Sequence, residues 1–158
     1  MRAARAMMLA MGLCLVVAGV CLAADAFTGT WKLNEANSKI SPGTTKNSTV
    51  VYEDQGDSVK VSIDGVDGNG QPLHNEWTGK FDGKDYPVTG DATSDARSYK
   101  KVDDHTLSFN VKKGSNVITT GRIMVSADGK SRTVTATNTD AKGKKVNSTS
   151  VYDKQEFI

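Results

Sequence analysis

The sequence predicts an all-β protein: an antiparallel up-and-down β-barrel of about ten strands, with at most one short helix after the first strand. Two patterns carry that expectation. Apolar and polar residues alternate through segment after segment, as on strands with one buried face. Glycine, often after aspartate, falls between those segments, where tight hairpins need a positive φ. Composition agrees, because Thr, Val, Ser and Gly are plentiful and long Leu/Ala/Glu runs are missing, which favours strands.

Taken in order, Phe27, Gly29, Trp31 and Leu33 share one face of a first strand, with Thr28, Thr30 and Lys32 on the other. Asn34 to Ile40 can form a turn or two of helix ahead of Pro42-Gly43. A strand near Ser48 to Glu53 follows. Val59, Val61 and Ile63 then alternate with Lys60, Ser62 and Asp64. Leu73, Asn75, Trp77, Gly79 and Phe81 alternate with His74, Glu76, Thr78 and Lys80. Short segments at Tyr86 to Thr89 and Ala96 to Val102 precede Leu107, Phe109 and Val111, which alternate with Thr106, Ser108 and Asn110. Val117 to Ser126, Arg132 to Thr139 and Val146 to Lys154 complete the set. Turns fall at Gln55-Gly56-Asp57, Asp67-Gly68-Asn69-Gly70, Asp82-Gly83-Lys84, Lys113-Gly114-Ser115, Asp128-Gly129-Lys130 and Lys142-Gly143-Lys144. Strands this close in sequence pair with their neighbours, and such a meander escapes exposed edges by closing. A membrane barrel would need an apolar band facing lipid. Here one face of each strand carries Lys, Asp, Thr or Ser, so a soluble barrel is expected.

The N-terminus has the layout of a secretory signal peptide. Arg2 and Arg5 form a basic head, and Met7 to Leu22 is uncharged and apolar. Cys21-Leu22-Ala23 and Ala24-Asp25-Ala26 both offer small residues for cleavage. Residues 1–26 are therefore read as the signal peptide, cut near 23–26, and residues 27–158 as one barrel domain in the periplasm or outside the cell. The apolar run is short for a membrane span, and no span is expected in the mature chain. Both cysteines, Cys14 and Cys21, precede the cut, so the barrel must hold without disulfides or thiolate metal sites. Without Arg2, Arg5 and Asp25 the chain keeps 18 basic and 17 acidic residues. Lys112-Lys113 and the lysines around Gly143 read as solvated hairpin tips, so no nucleic-acid footprint is expected. A monomer is.

Phe27-Thr28-Gly29-Thr30-Trp31-Lys32-Leu33 resembles the opening strand of the calycin group, the lipocalins and, more closely, the fatty-acid-binding proteins. Ser150-Val151-Tyr152-Asp153-Lys154 is similar to the Arg-x-Tyr-Glu-Lys end of the latter. The whole arrangement looks like small bacterial exported proteins described as lipocalin-like. The resemblance implies the barrel and a small-molecule binding role. It does not imply fatty acids: Ser150 stands where their carboxylate-clamping Arg would be. Only about a dozen residues separate Leu33 from Lys46, too few for their two-helix lid.

Within the barrel, Val134, Ala136 and Asn138 share a face, as do Ser148, Ser150 and Tyr152; both faces are too polar or too small for a dry core, which hints at a wet cavity. Arg97 and Tyr99 share a strand face and, if that face is internal, form an anion clamp. If it is external, Arg97 pairs with an Asp on the next strand. Arg122, between Gly121 and Ile123, poses the same choice. Trp31 is expected to plug one end; Trp77 is a core residue or a cavity wall. The candidate ligand-binding set is thus Trp77, Arg97, Tyr99, Arg122 and Tyr152. His74 and Glu76 are too few for a metal site, and Asp64, Asp67 and Asn69 suit a hairpin turn better than a calcium loop. No cofactor is expected. Asn47-Ser48-Thr49 and Asn147-Ser148-Thr149 match the glycosylation sequon, which only a eukaryotic secretory route would use. No nucleophile elbow or buried carboxylate pair is visible, so an enzyme is not expected.

Two functions follow as expectations. The first is a barrel holding a small apolar or amphipathic ligand. The alternative is a filled barrel that contacts another protein through its hairpin loops. A haem or enzyme barrel would be favoured by a coloured preparation, or by His105 facing the interior beside Arg or Tyr.

Overall fold

A computed structural model describes residues 25–139 and 142–156. The expected signal segment up to residue 24 lies outside them. Ten antiparallel strands form the fold: β1 (Gly29–Lys39), β2 (Lys46–Asp54), β3 (Val59–Val66), β4 (Pro72–Gly79), β5 (Tyr86–Thr89), β6 (Ala96–Asp103), β7 (Thr106–Lys113), β8 (Asn116–Val125), β9 (Ser131–Thr139) and β10 (Lys145–Gln155). Each pairs with its neighbours in sequence, and β1 pairs with β10 to close the barrel. Closure satisfies the outer ladder groups of β1 and β10 that an open meander would leave as edges. Hairpin glycines take the conformation the turns demand, as at Gly70 (φ 80°) and Gly129 (φ 71°).

The seam around β5 is narrow. Only Glu76 and Trp77 pair with it from β4, and only Ala96 and Arg97 from β6. Pro87 lacks a ladder donor, which suits a strand this short. Bonds outside the strands bridge the gap: Gly83 N donates to Tyr99 O at 2.8 Å, and Lys101 N to Phe81 O at 3.1 Å.

No helix follows the first strand. Asn34 to Lys39 stays in β1, as an irregularity that shifts the register against β10 between Asn34 and Lys39. The local turn preference of these residues is real, but side chains satisfy it. Ser38 Oγ donates to Asn34 O (2.7 Å), and Asn37 N donates to Asn34 Oδ1 (3.2 Å). Val151 N of β10 in turn donates to Ser38 Oγ at 2.9 Å. A bulge of this kind keeps the barrel closed where a helix would interrupt pairing.

The outer wall is polar. Lys60 pairs with Glu76 at 2.8 Å, and His74 Nδ1 lies 2.7 Å from Asp64 Oδ1, all partly or well exposed. Among the described residues, the exposed large apolar side chains are Val102, Val117 and Met124.

Candidate ligand-binding cavity

The interior divides into two halves. The half near the β2–β3 and β8–β9 turns is an aromatic plug. Phe27 meets Phe81 edge-on at 6.0 Å, and Phe81 stacks on Trp77 at 6.4 Å. Trp31, Leu107, Val61 and Val125 complete the packing, all buried. Each indole finds a backbone acceptor, as buried Trp requires: Trp31 Nε1 donates to Phe27 O (2.9 Å), and Trp77 Nε1 to Arg97 O (2.8 Å). Gly29 allows Lys154 to pass close by, since a Cβ there would lie 2.8 Å from Lys154 Cε. The Lys154 ammonium thereby reaches 5.3 Å from the Trp31 ring centroid.

The other half holds a cavity of about 170 Å³. It reaches the exposed rim residues Thr45 and Thr93 and runs inward past Asn75, Arg97 and Tyr99 to Tyr52, Arg132 and Tyr152. Phe109, Ile123 and Val134 supply an apolar side, while Asn138, Ser148 and Ser150 supply a polar one. This mixture follows directly from strand alternation: β9 sends Arg132, Val134, Ala136 and Asn138 inward, and β10 sends Ser148, Ser150 and Tyr152.

Two guanidiniums are buried in this cavity wall, Arg97 at 6% exposure and Arg132 at 2%. Arg97 Nη2 donates to Asn75 Oδ1 at 3.2 Å, and Nη1 to Tyr99 Oη at 3.5 Å. Arg132 is held against rings, with the Tyr52 hydroxyl also bonding to it. Its guanidinium carbon lies 4.6 Å from the Tyr152 ring centroid, 5.0 Å from Tyr52 and 5.1 Å from Trp31. Its Nε and Nη1 have no hydrogen-bond partner, nor does Asn47 Oδ1. Among the described residues, neither arginine has an ion pair with a carboxylate within 4.0 Å. Burial pushes the Tyr52 phenol well up, with Tyr99 adding to the effect and Arg132 opposing it. Burial raises Tyr152 as well. Both phenols stay neutral over the physiological range and keep their O–H donors. Tyr152 Oη donates to Asn47 O at 3.0 Å.

Among the described residues, Asp91 is the one carboxylate in the wall, and it folds the loop between β5 and β6. It accepts from Thr93 N (2.8 Å), Thr93 Oγ1 (2.7 Å) and Ser94 Oγ (2.6 Å). Burial opposes its ionisation, but the Ser94 and Thr93 bonds outweigh that, with the Arg97 charge assisting. The net result holds the carboxyl below its usual range.

Of the residues singled out from sequence, Arg97, Tyr99 and Tyr152 meet in this cavity. Trp77 lies beneath it, in the plug, with its ring 4.8 Å from that of Tyr99. Arg122 does not join them. Gly121 and Ile123 take the inward positions of β8, so Arg122 is exposed on the outer wall, paired in register with Ser108 and Thr135. His105 is exposed in the β6–β7 turn, away from the cavity. The residue that sequence reasoning missed is Arg132. The signal was present: the face carrying Val134, Ala136 and Asn138, extended two residues back, arrives at Arg132.

A closed, ten-stranded, up-and-down antiparallel barrel fits the calycin-like fold. No family model matches the chain, and no curated protein matches it. Among solved structures, the chain is similar to EF1p2_mFAP2b bound to DFHBI, at 12% identity and a TM-score of 0.48, over 84% of this chain and 97% of that one. A redesigned β-barrel, mFAP1 bound to DFHBI, is similar at 16% identity and a TM-score of 0.43, over 82% and 95%. Lobster apocrustacyanin A1 is similar at 12% identity and a TM-score of 0.42, over 86% of this chain and 64% of that one. Likenesses this distant say nothing of chemistry. What the barrel can hold is decided by its own interior.

Proposed function

We propose that this protein is an exported, soluble barrel that binds one small amphipathic molecule inside its open half. The observation that carries the reading is the cavity of about 170 Å³, apolar along Phe109, Ile123 and Val134 and polar around Arg97 and Arg132. An engineered apolar cavity of about 150 Å³ accepts benzene, so a single substituted ring or a short chain fits, and a long acyl chain does not. The described wall residues support binding: Arg97, Arg132, Asn75 and the tyrosines offer fixed polar contacts beside an apolar side.

One observation favours the alternative, a filled barrel contacting another protein through its hairpin loops: ligand pockets usually run to about 300 Å³ or more, above the volume seen here. Native mass spectrometry of the protein purified from its natural export route, with no lipid added, separates the two. A discrete extra mass, lost on denaturation, supports the ligand; a clean apo mass supports the filled barrel.

Export rests on the N-terminal pattern and is tested by the N-terminus of the exported protein. Asp25 contributes a turn to the fold, accepting from Thr28 N at 3.0 Å and Phe27 N at 3.2 Å. A cut after Ala23 would retain that turn, whereas a cut after Ala26 would remove it. An N-terminus still at Met1 would contradict export by this route.

A further inference from the structure

We propose that the cavity selects small monoanions, carboxylates above all, with the acidic group against the Arg132 guanidinium and the apolar remainder along Phe109, Ile123 and Val134. The inference rests on the reading that the cavity holds a small amphipathic molecule, and it adds the charge and the orientation of that molecule.

Arg132 is 98% buried; the Tyr52 hydroxyl bonds to its guanidinium, but its Nε and Nη1 lack partners. Buried donors without partners are rare and costly in native proteins. The three rings around Arg132 attract its charge through their faces, but guanidinium N–H groups point outward in the guanidinium plane, and ring attraction does not satisfy them. Both atoms are closed off from the cavity in this structure, so an acceptor entering from the cavity satisfies them once the ring packing over them shifts. A carboxylate matches the planar fork of the guanidinium and carries the charge the site lacks.

The charge balance points the same way. Among the described residues, the wall contains two guanidiniums, Arg97 and Arg132, and one carboxylate, Asp91. That carboxylate is already committed to Thr93 and Ser94. One excess positive charge remains in a confined space where charge is poorly solvated, so a single negative charge neutralises it. The Tyr52 and Tyr152 phenols are neutral because burial raises them, so they add no competing negative charge.

The test uses benzoate and its neutral, near-isosteric amide, benzamide, titrated calorimetrically into the full protein, its Arg132→Gln variant and its Arg97→Gln variant. The wild-type protein is expected to bind benzoate about tenfold to a hundredfold more tightly than benzamide, the range of a buried charge-assisted bond. Arg132→Gln should abolish that preference, and Arg97→Gln should reduce it less. Equal affinity for the two probes in the wild type would overturn the charge inference and leave the small-ligand reading standing. Binding of neither probe at millimolar concentration would overturn both. Preference retained in Arg132→Gln would overturn the assignment to that residue. Should Arg132→Gln fail to fold, Arg132→Lys keeps the charge without the fork, and a weakened benzoate preference is then expected; an unchanged one would overturn the assignment.

Discussion

The Arg132 guanidinium carbon sits 4.6 Å from the ring centroid of Tyr152, its register partner across β9 and β10. A cation is thus built into the barrel interior between an aromatic plug and a polar cavity. Burying an unpaired charge costs stability, and an apolar replacement of similar volume is often neutral or stabilising. Arg132→Met is therefore expected to unfold at the same or a slightly higher denaturant midpoint, a gain of up to about 1 kcal/mol. Arg132→Ala, which leaves a void, should lose about 2–4 kcal/mol. Urea unfolding of both variants decides this. A loss of several kcal/mol in Arg132→Met would make the guanidinium a structural element rather than one retained for binding.

Trp77 joins the plug to the cavity floor through its bond to Arg97 O and its packing on Phe81 and Tyr99. Trp77→Ala is expected to cost about 3–5 kcal/mol. Trp77→Phe keeps much of the packing but strands the Arg97 carbonyl, at a cost of about 1–3 kcal/mol. Thermal unfolding should rank wild type above Trp77→Phe and Trp77→Ala last. Equal losses for the two variants would mean the indole bond contributes nothing.

Gly121 is required by crowding. A Cβ at this position would lie 2.3 Å from Thr135 O and 2.5 Å from Phe109 Cζ. Gly121→Ala must push the Phe109 ring towards the cavity or pry β8 from β9. Overpacking of this sort costs about 1–3 kcal/mol. Amide exchange should show faster opening along β8 and β9, and unchanged protection there would contradict the account.

Acid should weaken the loop between β5 and β6. The Asp91 carboxyl titrates below its usual value of 3.8 in the folded protein. A depressed carboxyl contributes stability that is present above the unfolded pKa and is lost as pH falls through the folded one. Asp91→Asn should therefore be less stable than wild type at neutral pH, by about 1 kcal/mol as expected for hydrogen bonds to a half-buried carboxylate. The gap should close below pH 3.8. Melting curves of both proteins across that range test this; a gap that widens on acidification would reverse the sign.

Much of the barrel was legible in the sequence because its strands are amphipathic and its turns carry glycine. Phe27, Trp31, Val61 and Trp77 fall on buried faces as their alternation predicts. Asn34 to Lys39 was not legible as strand, because side-chain bonds within a bulge imitate the local pattern of a helical turn. At the site, Arg97-x-Tyr99 stood out, since the pair falls within one short strand. Arg122 and Arg132 were harder to place: each is an arginine in a Thr-rich strand, and only the phase of that strand separates an outward from an inward side chain. The rings that receive Arg132 come from three different strands, a convergence that only the closed barrel creates.

The most direct test of the central claim, that the open half of the barrel is a ligand cavity floored by Arg132, is a proton–nitrogen NMR titration with benzoate that observes backbone amides and arginine Nε–H groups together. The account predicts saturable shifts at Asn75, Arg97, Tyr99, Arg132 and Tyr152, with Arg122 unmoved. Shifts confined to Arg122 and the lysines of the outer wall, with the Arg132 signal unchanged, would contradict it.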